Sequence, residues 1–138
     1  MRFQSSEDRL NPIPPEGVDD TTLGGYPLVH GRAPAFEGCD GEPYTVAIDT
    51  ERAEDGEGWV AYLIFLRWSQ TGSAVMGHME TGDLERGATE EEARKRLEAY
   101  PLRRVREVLD AEIQRRRAER EAEQESAMDL TQSDPGDD

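Results

Sequence analysis

Few residues in this chain have the chemistry for covalent catalysis or metal binding, and they are scattered. There is one cysteine, Cys39, and there are two histidines, His30 and His78. A thiol nucleophile needs a base within hydrogen-bond reach. Cys39 has Glu37 and Asp40 as its charged neighbours and no base beside it in sequence. Zinc motifs pair cysteines and histidines at fixed short spacings, and this set lacks that pairing. Glu80, Asp83 and Glu85 crowd one loop, and loop carboxylates of this kind can hold magnesium or calcium. They lack the alternation and glycine of an EF-hand loop, and acidic loops are ordinary in so acidic a chain. Gly24-Gly25 runs into Tyr26-Pro27 rather than into a helix start, so no phosphate loop is expected there. The reading is therefore no catalytic constellation, no cofactor and no metal site. An enzyme with a metal at Glu80, Asp83 and Glu85 is the least favoured alternative.

The residues better suited to function are those that bind. Trp59, Tyr62, Arg67 and Trp68 lie on one short stretch. Trp, Tyr and Arg are enriched at interface hot spots. These four are the candidate partner-binding residues, and the competing explanation is that they fill the core.

The stretch that carries them is Gly58 to Ser69, GWVAYLIFLRWS, the longest apolar run in the chain. It is too short to span a bilayer as a helix, and its composition favours a strand. One face would carry Trp59, Ala61, Leu63, Phe65 and Arg67; the other would carry Val60, Tyr62, Ile64, Leu66 and Trp68. Both faces are apolar, the pattern of a central strand covered on both sides or closed against a partner. Before it, Tyr44 to Glu51 alternates cleanly and reads as a half-buried strand. Asp55-Gly56 between the two runs is a hairpin signal, so they should pair antiparallel. Ala74 to Glu80 reads as a third strand, with Gly77 marking a bulge, a weak point or a close backbone approach. Phe36 leads into the turn cluster Gly38 to Gly41, where two short strands could meet. Thr81 to Ala88 reads as a loop.

Helix signals follow. Thr89 and Glu92 have capping-box spacing, and Glu90, Glu91 and Glu92 suit the first turn. Ala93, Leu97 and Tyr100 then form a narrow apolar stripe. Pro101 ends this helix or opens a second one, which carries Leu102, Val105, Val108, Leu109 and Ile113 at helical spacing. After Ile113 the stripe stops although helix formers continue. The fold class expected is α+β: a three- or four-stranded antiparallel meander with one or two C-terminal helices packed on one face. The domain spans residues 35–113. Residues 1–34, punctuated by Pro and Gly, read as an extended or disordered arm, within which Tyr26, Leu28 and Val29 could form a docking patch. Residues 114–125 read as a charged helical extension and 126–138 as a disordered acidic tail.

Composition sets the class of partner. The 138 residues carry a formal net charge of −15, with apolar content of 35% and charged content of 34%. A small core with polar extensions fits those fractions. So negative a chain opposes direct approach to nucleic-acid phosphates and suits a basic protein partner. Arg115-Arg116-Arg117 is a dense basic cluster, and acidic residues surround it. The N-terminus lacks an apolar signal core and no stretch reaches membrane-spanning length, so a cytoplasmic protein without membrane contact is expected.

Two segments resemble a known family. Gly58-Trp59-Val60-Ala61-Tyr62, followed later by Gly87-Ala88-Thr89-Glu90-Glu91-Glu92-Ala93, looks like the HicB-like antitoxin domain over about residues 44–98. That family typically has a glycine-led apolar strand and a loop of the form G-x-T-x-E-E-A entering a helix. The chain departs from it in having Arg67-Trp68-Ser69 and an extra strand where a proline and a glycine-cysteine turn are usual, and in showing no DNA-binding module after the helix. The resemblance implies a small sheet with a packed helix and a protein-partner role, and no catalytic residue. Two functions are thus in play: a non-enzymatic accessory protein that binds a protein partner or a second copy of itself, and a HicB-like antitoxin or nucleic-acid mimic regulating a basic partner.

Overall fold

The computed structural model describes residues 19–132. Its elements are helix α1 (Gly25–His30), strands β1 (Ala35–Glu37), β2 (Pro43–Arg52), β3 (Trp59–Trp68), β4 (Val75–Glu80) and β5 (Glu85–Gly87), and helices α2 (Glu90–Glu98) and α3 (Leu102–Gln132). The strands form one antiparallel sheet in the order β1-β2-β3-β4, with β5 also pairing to β3. This is an α+β fold.

β3 sits at the centre because both of its edges are paired along nearly their whole length, whereas β1 reaches only Pro43 to Thr45 on the outer edge of β2. β2 matches it from Arg52 opposite Trp59 to Tyr44 opposite Arg67. On its other edge β4 takes the half from Ile64 to Trp68, and β5 takes Trp59 to Ala61. Between them, Thr81 and Leu84 donate backbone N–H groups to Leu63 and Ala61 at 2.9 Å. The loop expected over 81–88 therefore contains a strand. The physical reason is that β4 is too short to satisfy the ladder groups of β3, and buried backbone groups need partners. At the other end the ladder slips between Arg67 and Trp68, which pair with Gly77 and Val75, so Met76 is the extra residue of a bulge.

The helices lie on one face. Ala61, Leu63 and Phe65 are fully buried beneath Ala93 and Leu97 of α2 and Val105 and Leu109 of α3. Thr89 caps α2 by accepting from the Glu92 N–H at 3.1 Å, and Glu92 accepts in turn from the Ala88 N–H at 2.8 Å. Pro101 separates the two helices.

Two further expectations fail, at the two ends of the described chain. Residues 19–34 are not an extended or disordered arm. Leu23 is buried in the core, its N–H donates to the Tyr100 carbonyl at 2.9 Å, and the Gly24 N–H donates to the Glu98 carbonyl at 2.9 Å. A helix starts at Gly25 after all, and Pro27 sits in its first turn, where a missing N–H costs no helical bond. Leu23 does the docking, whereas Leu28 is exposed. Residues 1–18 lie outside the described residues. At the other end α3 does not stop near residue 125; it continues through 126–132, because that segment contains no helix breaker. Residues 133–138 lie outside the described residues.

α3 is 31 residues long, about 46 Å, and its last core residue is Ile113. Every side chain from Arg117 to Met128 is exposed. Where the helix leaves the core, Glu112 is buried at 8% exposure and accepts from Arg115 and, at 2.8 Å, from Arg116. Arg116 also donates to the Glu80 carbonyl of β4 at 3.2 Å. Burial pushes the Glu112 carboxyl up, but the two guanidinium groups outweigh it and hold it below the usual carboxylate range.

A depressed folded-state pKa contributes stability above the unfolded carboxylate value, about 4.3, and loses it as pH falls through the folded value. Glu112→Gln should therefore be less stable than the parent at pH 7, with the gap closing below about pH 4. Urea midpoints measured across pH test this, and a gap independent of pH would refute it. A second expectation concerns the β2–β3 hairpin. Gly56 and Gly58 both have positive φ, 78° and 91°. A Cβ at Gly56 meets nothing, whereas one at Gly58 would lie 2.6 Å from the Gly87 carbonyl oxygen. Gly56→Ala should cost about 1–2 kcal/mol, and Gly58→Ala clearly more, in chemical denaturation.

Candidate functional site

The alternation of β3 places the four candidate binding residues on two different faces. Trp59 and Arg67 share the helix side with Ala61, Leu63 and Phe65. Trp59 packs against the edge of the core, with the Arg52 guanidinium 5.4 Å from its ring centre. Arg67 stands at the far end of β3, donates to the Met76 carbonyl at 3.3 Å and lies 4.0 Å from Glu42. Tyr62 and Trp68 belong to the opposite face, together with Ile64 and Leu66. The structure thus brings Tyr62 and Trp68 into one surface and keeps Trp59 and Arg67 out of it.

That surface is the side of the sheet away from the helices. Tyr62, Ile64, Leu66 and Trp68 form a stripe along β3, all half-buried and none part of the core. Register extends the face to either side: Thr45, Ala47 and Asp49 from β2 stand opposite Leu66, Ile64 and Tyr62. Glu80, His78 and Val75 from β4 stand opposite Ile64, Leu66 and Trp68. Val75 and the bulged Met76 are 50% and 54% exposed. From Tyr62 to Trp68 the central strand is therefore packed on one face only, whereas Val60, at the β5 end of the same open face, is buried; a covering on both faces is one of the two sequence expectations.

The polar tips of the two aromatics are satisfied within the sheet. The Trp68 indole donates to the Thr45 hydroxyl at 2.9 Å, and the Tyr62 hydroxyl donates to Asp49 at 3.2 Å. Partial burial and the neighbouring Asp49 carboxylate push the Tyr62 phenol up. With their donors engaged, both rings turn apolar surface outward, an arrangement suited to packing. Around the stripe the charges are mostly negative. Glu37, Asp49, Glu51 and Glu80 all fall on this face by register, and the one arginine there, Arg86, is paired with Asp55 at 3.1 Å. Sequence alternation alone is enough to find the stripe; the acidic rim needs the register, which no single strand reveals.

The residues singled out for chemistry stay apart. Cys39 is exposed, and its partners are the Asp110 carboxylate, which accepts from its N–H at 2.9 Å, and the Asp110 carbonyl. His30 faces Asp20 at 3.2 Å, and His78 lies on the open sheet face. Glu85 accepts from the Tyr100 hydroxyl at 2.7 Å on the helix side, and burial together with that carboxylate pushes the phenol up to about 12. Among the described residues no three of His, Cys, Asp and Glu converge as a metal ligand set. No helix among them is long and apolar enough to cross a membrane.

If the open face contributes little to folding, Ile64→Ser and Leu66→Ser should each cost less than about 1.5 kcal/mol, whereas Leu63→Ala on the buried face should cost about 2–5 kcal/mol. Guanidinium denaturation of the three variants gives the comparison, and equal losses would mean that both faces are structural.

No protein family, curated protein or solved structure matches this chain.

Proposed function

We propose that this chain is a non-enzymatic, cytoplasmic accessory protein whose open sheet face docks a basic protein partner. One observation carries the reading: the half-buried stripe Tyr62, Ile64, Leu66 and Trp68, on the sheet side opposite the helices and ringed by Glu37, Asp49, Glu51 and Glu80. An apolar centre with a charged rim is the anatomy of a specific interface. The acidic rim and the net charge of −15 select a partner whose own rim is basic, through faster encounter and rejection of acidic surfaces. A second copy of this chain would meet like charge around the stripe, which makes self-association the weaker choice.

A second reading gives the partner a biological role. A HicB-like antitoxin, or a nucleic-acid mimic that neutralises a basic protein, is supported by the succession of the apolar strand β3, Gly87 and the Thr89-capped helix α2. Both readings require the same surface and the same sign of partner charge.

The test is affinity capture with the full chain and with the double variant Ile64→Ser/Leu66→Ser. The parent should retain a basic protein, and the double variant should bind it at least tenfold more weakly, about 1.4 kcal/mol, with unchanged circular dichroism. Association should slow as salt rises, since rim charges act mainly on encounter. Equal capture by parent and variant would remove the sheet face from consideration, and an acidic captured protein would remove the charge argument.

A further inference from the structure

On the helix side, at the β4 edge of the sheet where His78 also lines it, α3 and the ends of β2, β3 and β4 form a cleft of about 400 Å³. Its walls carry Arg67 from β3 and Arg116, Arg117 and Arg120 from α3. The chain has only 16 basic residues against 31 acidic ones, so four guanidinium groups around one small space is a marked local reversal of sign. Asp40 and Glu42 line the same cleft, and the Tyr44 hydroxyl is committed to Asp40 at 2.7 Å.

The arginines differ in what they already hold. Arg116 is tied to Glu112 and to the Glu80 carbonyl. Arg67 is held by the Met76 carbonyl and stands 4.0 Å from Glu42. Arg117 and Arg120 have neither a hydrogen bond nor an ion pair among the described residues. Being three apart on one helix, they are neighbours on its surface. The cleft thus presents two uncommitted guanidinium groups, backed by two more that are fixed in place. Guanidinium presents a planar fork of donors that matches phosphate oxygens bidentately.

We propose that this cleft binds a small phosphoryl-bearing anion, with Arg117 and Arg120 as its principal ligands and Arg67 and Arg116 as fixed positive flanks. The volume lies within the range of small-molecule sites. Asp40 and Glu42 limit the anionic charge the cleft accepts, and they offer acceptors to hydroxyl groups on a phosphate ester.

Isothermal titration of the full chain with inorganic phosphate, pyrophosphate and glycerol 1-phosphate tests this. Binding of the ester alone would identify a hydroxylated phosphate ester as the ligand class. Binding of the inorganic ions alone would identify free phosphate or pyrophosphate. In either case Arg117→Ala/Arg120→Ala should weaken binding at least tenfold, while Arg103→Ala/Arg106→Ala, which removes the same charge from exposed positions of α3 outside the cleft, should leave it within twofold. Alanine keeps the helix at all four positions. The proposal is overturned if none of the three probes binds at millimolar concentration, if the Arg117/Arg120 variant binds like the parent, or if the control variant loses as much.

Discussion

The backbone of β3 must find hydrogen-bond partners on both of its edges, and most of the architecture answers that need. β2 supplies one edge along the full length of the strand. The other edge is shared between β4 and β5, with Thr81 and Leu84 filling the gap. That division forces the chain to turn at residues 81–84 and return toward the start of β3, which places Gly87 beside Gly58 and aims α2 across the buried face. α3 then completes the cover with Val105, Leu109 and Ile113. A single strand with two demanding edges and one fully buried face thereby sets both the sheet order and the side on which the helices lie.

Charge is distributed with less uniformity than the net value of −15 suggests. The open sheet face is rimmed by carboxylates, while the cleft under the start of the α3 extension gathers four arginines. Glu112 stands at the junction. Buried between Arg115 and Arg116, it is a charge that only its partners make tolerable. Arg116 carries the connection onward to the β4 backbone at Glu80, so one ionic cluster ties the emerging helix to the sheet edge.

Much of the fold was legible in the residues. The alternation in β2, the Asp55-Gly56 hairpin, the Thr89 cap and the apolar stripe of α3 up to Ile113 are local signals, and each element formed where its signal lay. β5 was not legible, because Glu85-Arg86-Gly87 has no strand propensity of its own and pairs only because β3 has an edge left over. α1 was hidden by Pro27, whose effect depends on whether it falls in a first turn or in a helix interior. The candidate site was half legible. Period-two alternation separates Tyr62 and Trp68 from Trp59 and Arg67, but only the placement of the helices tells which face stays open. The arginine cleft was not legible at all. Arg67 and Arg117 are 50 positions apart in sequence, and the basic triplet at 115–117 is masked by acidic neighbours until the helix is set against the sheet.

The emergence of α3 has a mechanical consequence. The last core residue of the helix is Ile113, Arg116 ties it to the β4 backbone, and about 24 Å of helix lie between Arg116 and Gln132. A flexure of about 10° at its root, small for a helix of this length, sweeps the tip through about 4 Å. The root of that lever is the same turn that carries Arg116, Arg117 and Arg120 into the cleft. A bend at that point would move Arg117 and Arg120 relative to Arg67 of β3, so the direction of the helix beyond the core and the width of the cleft are set by the same residues.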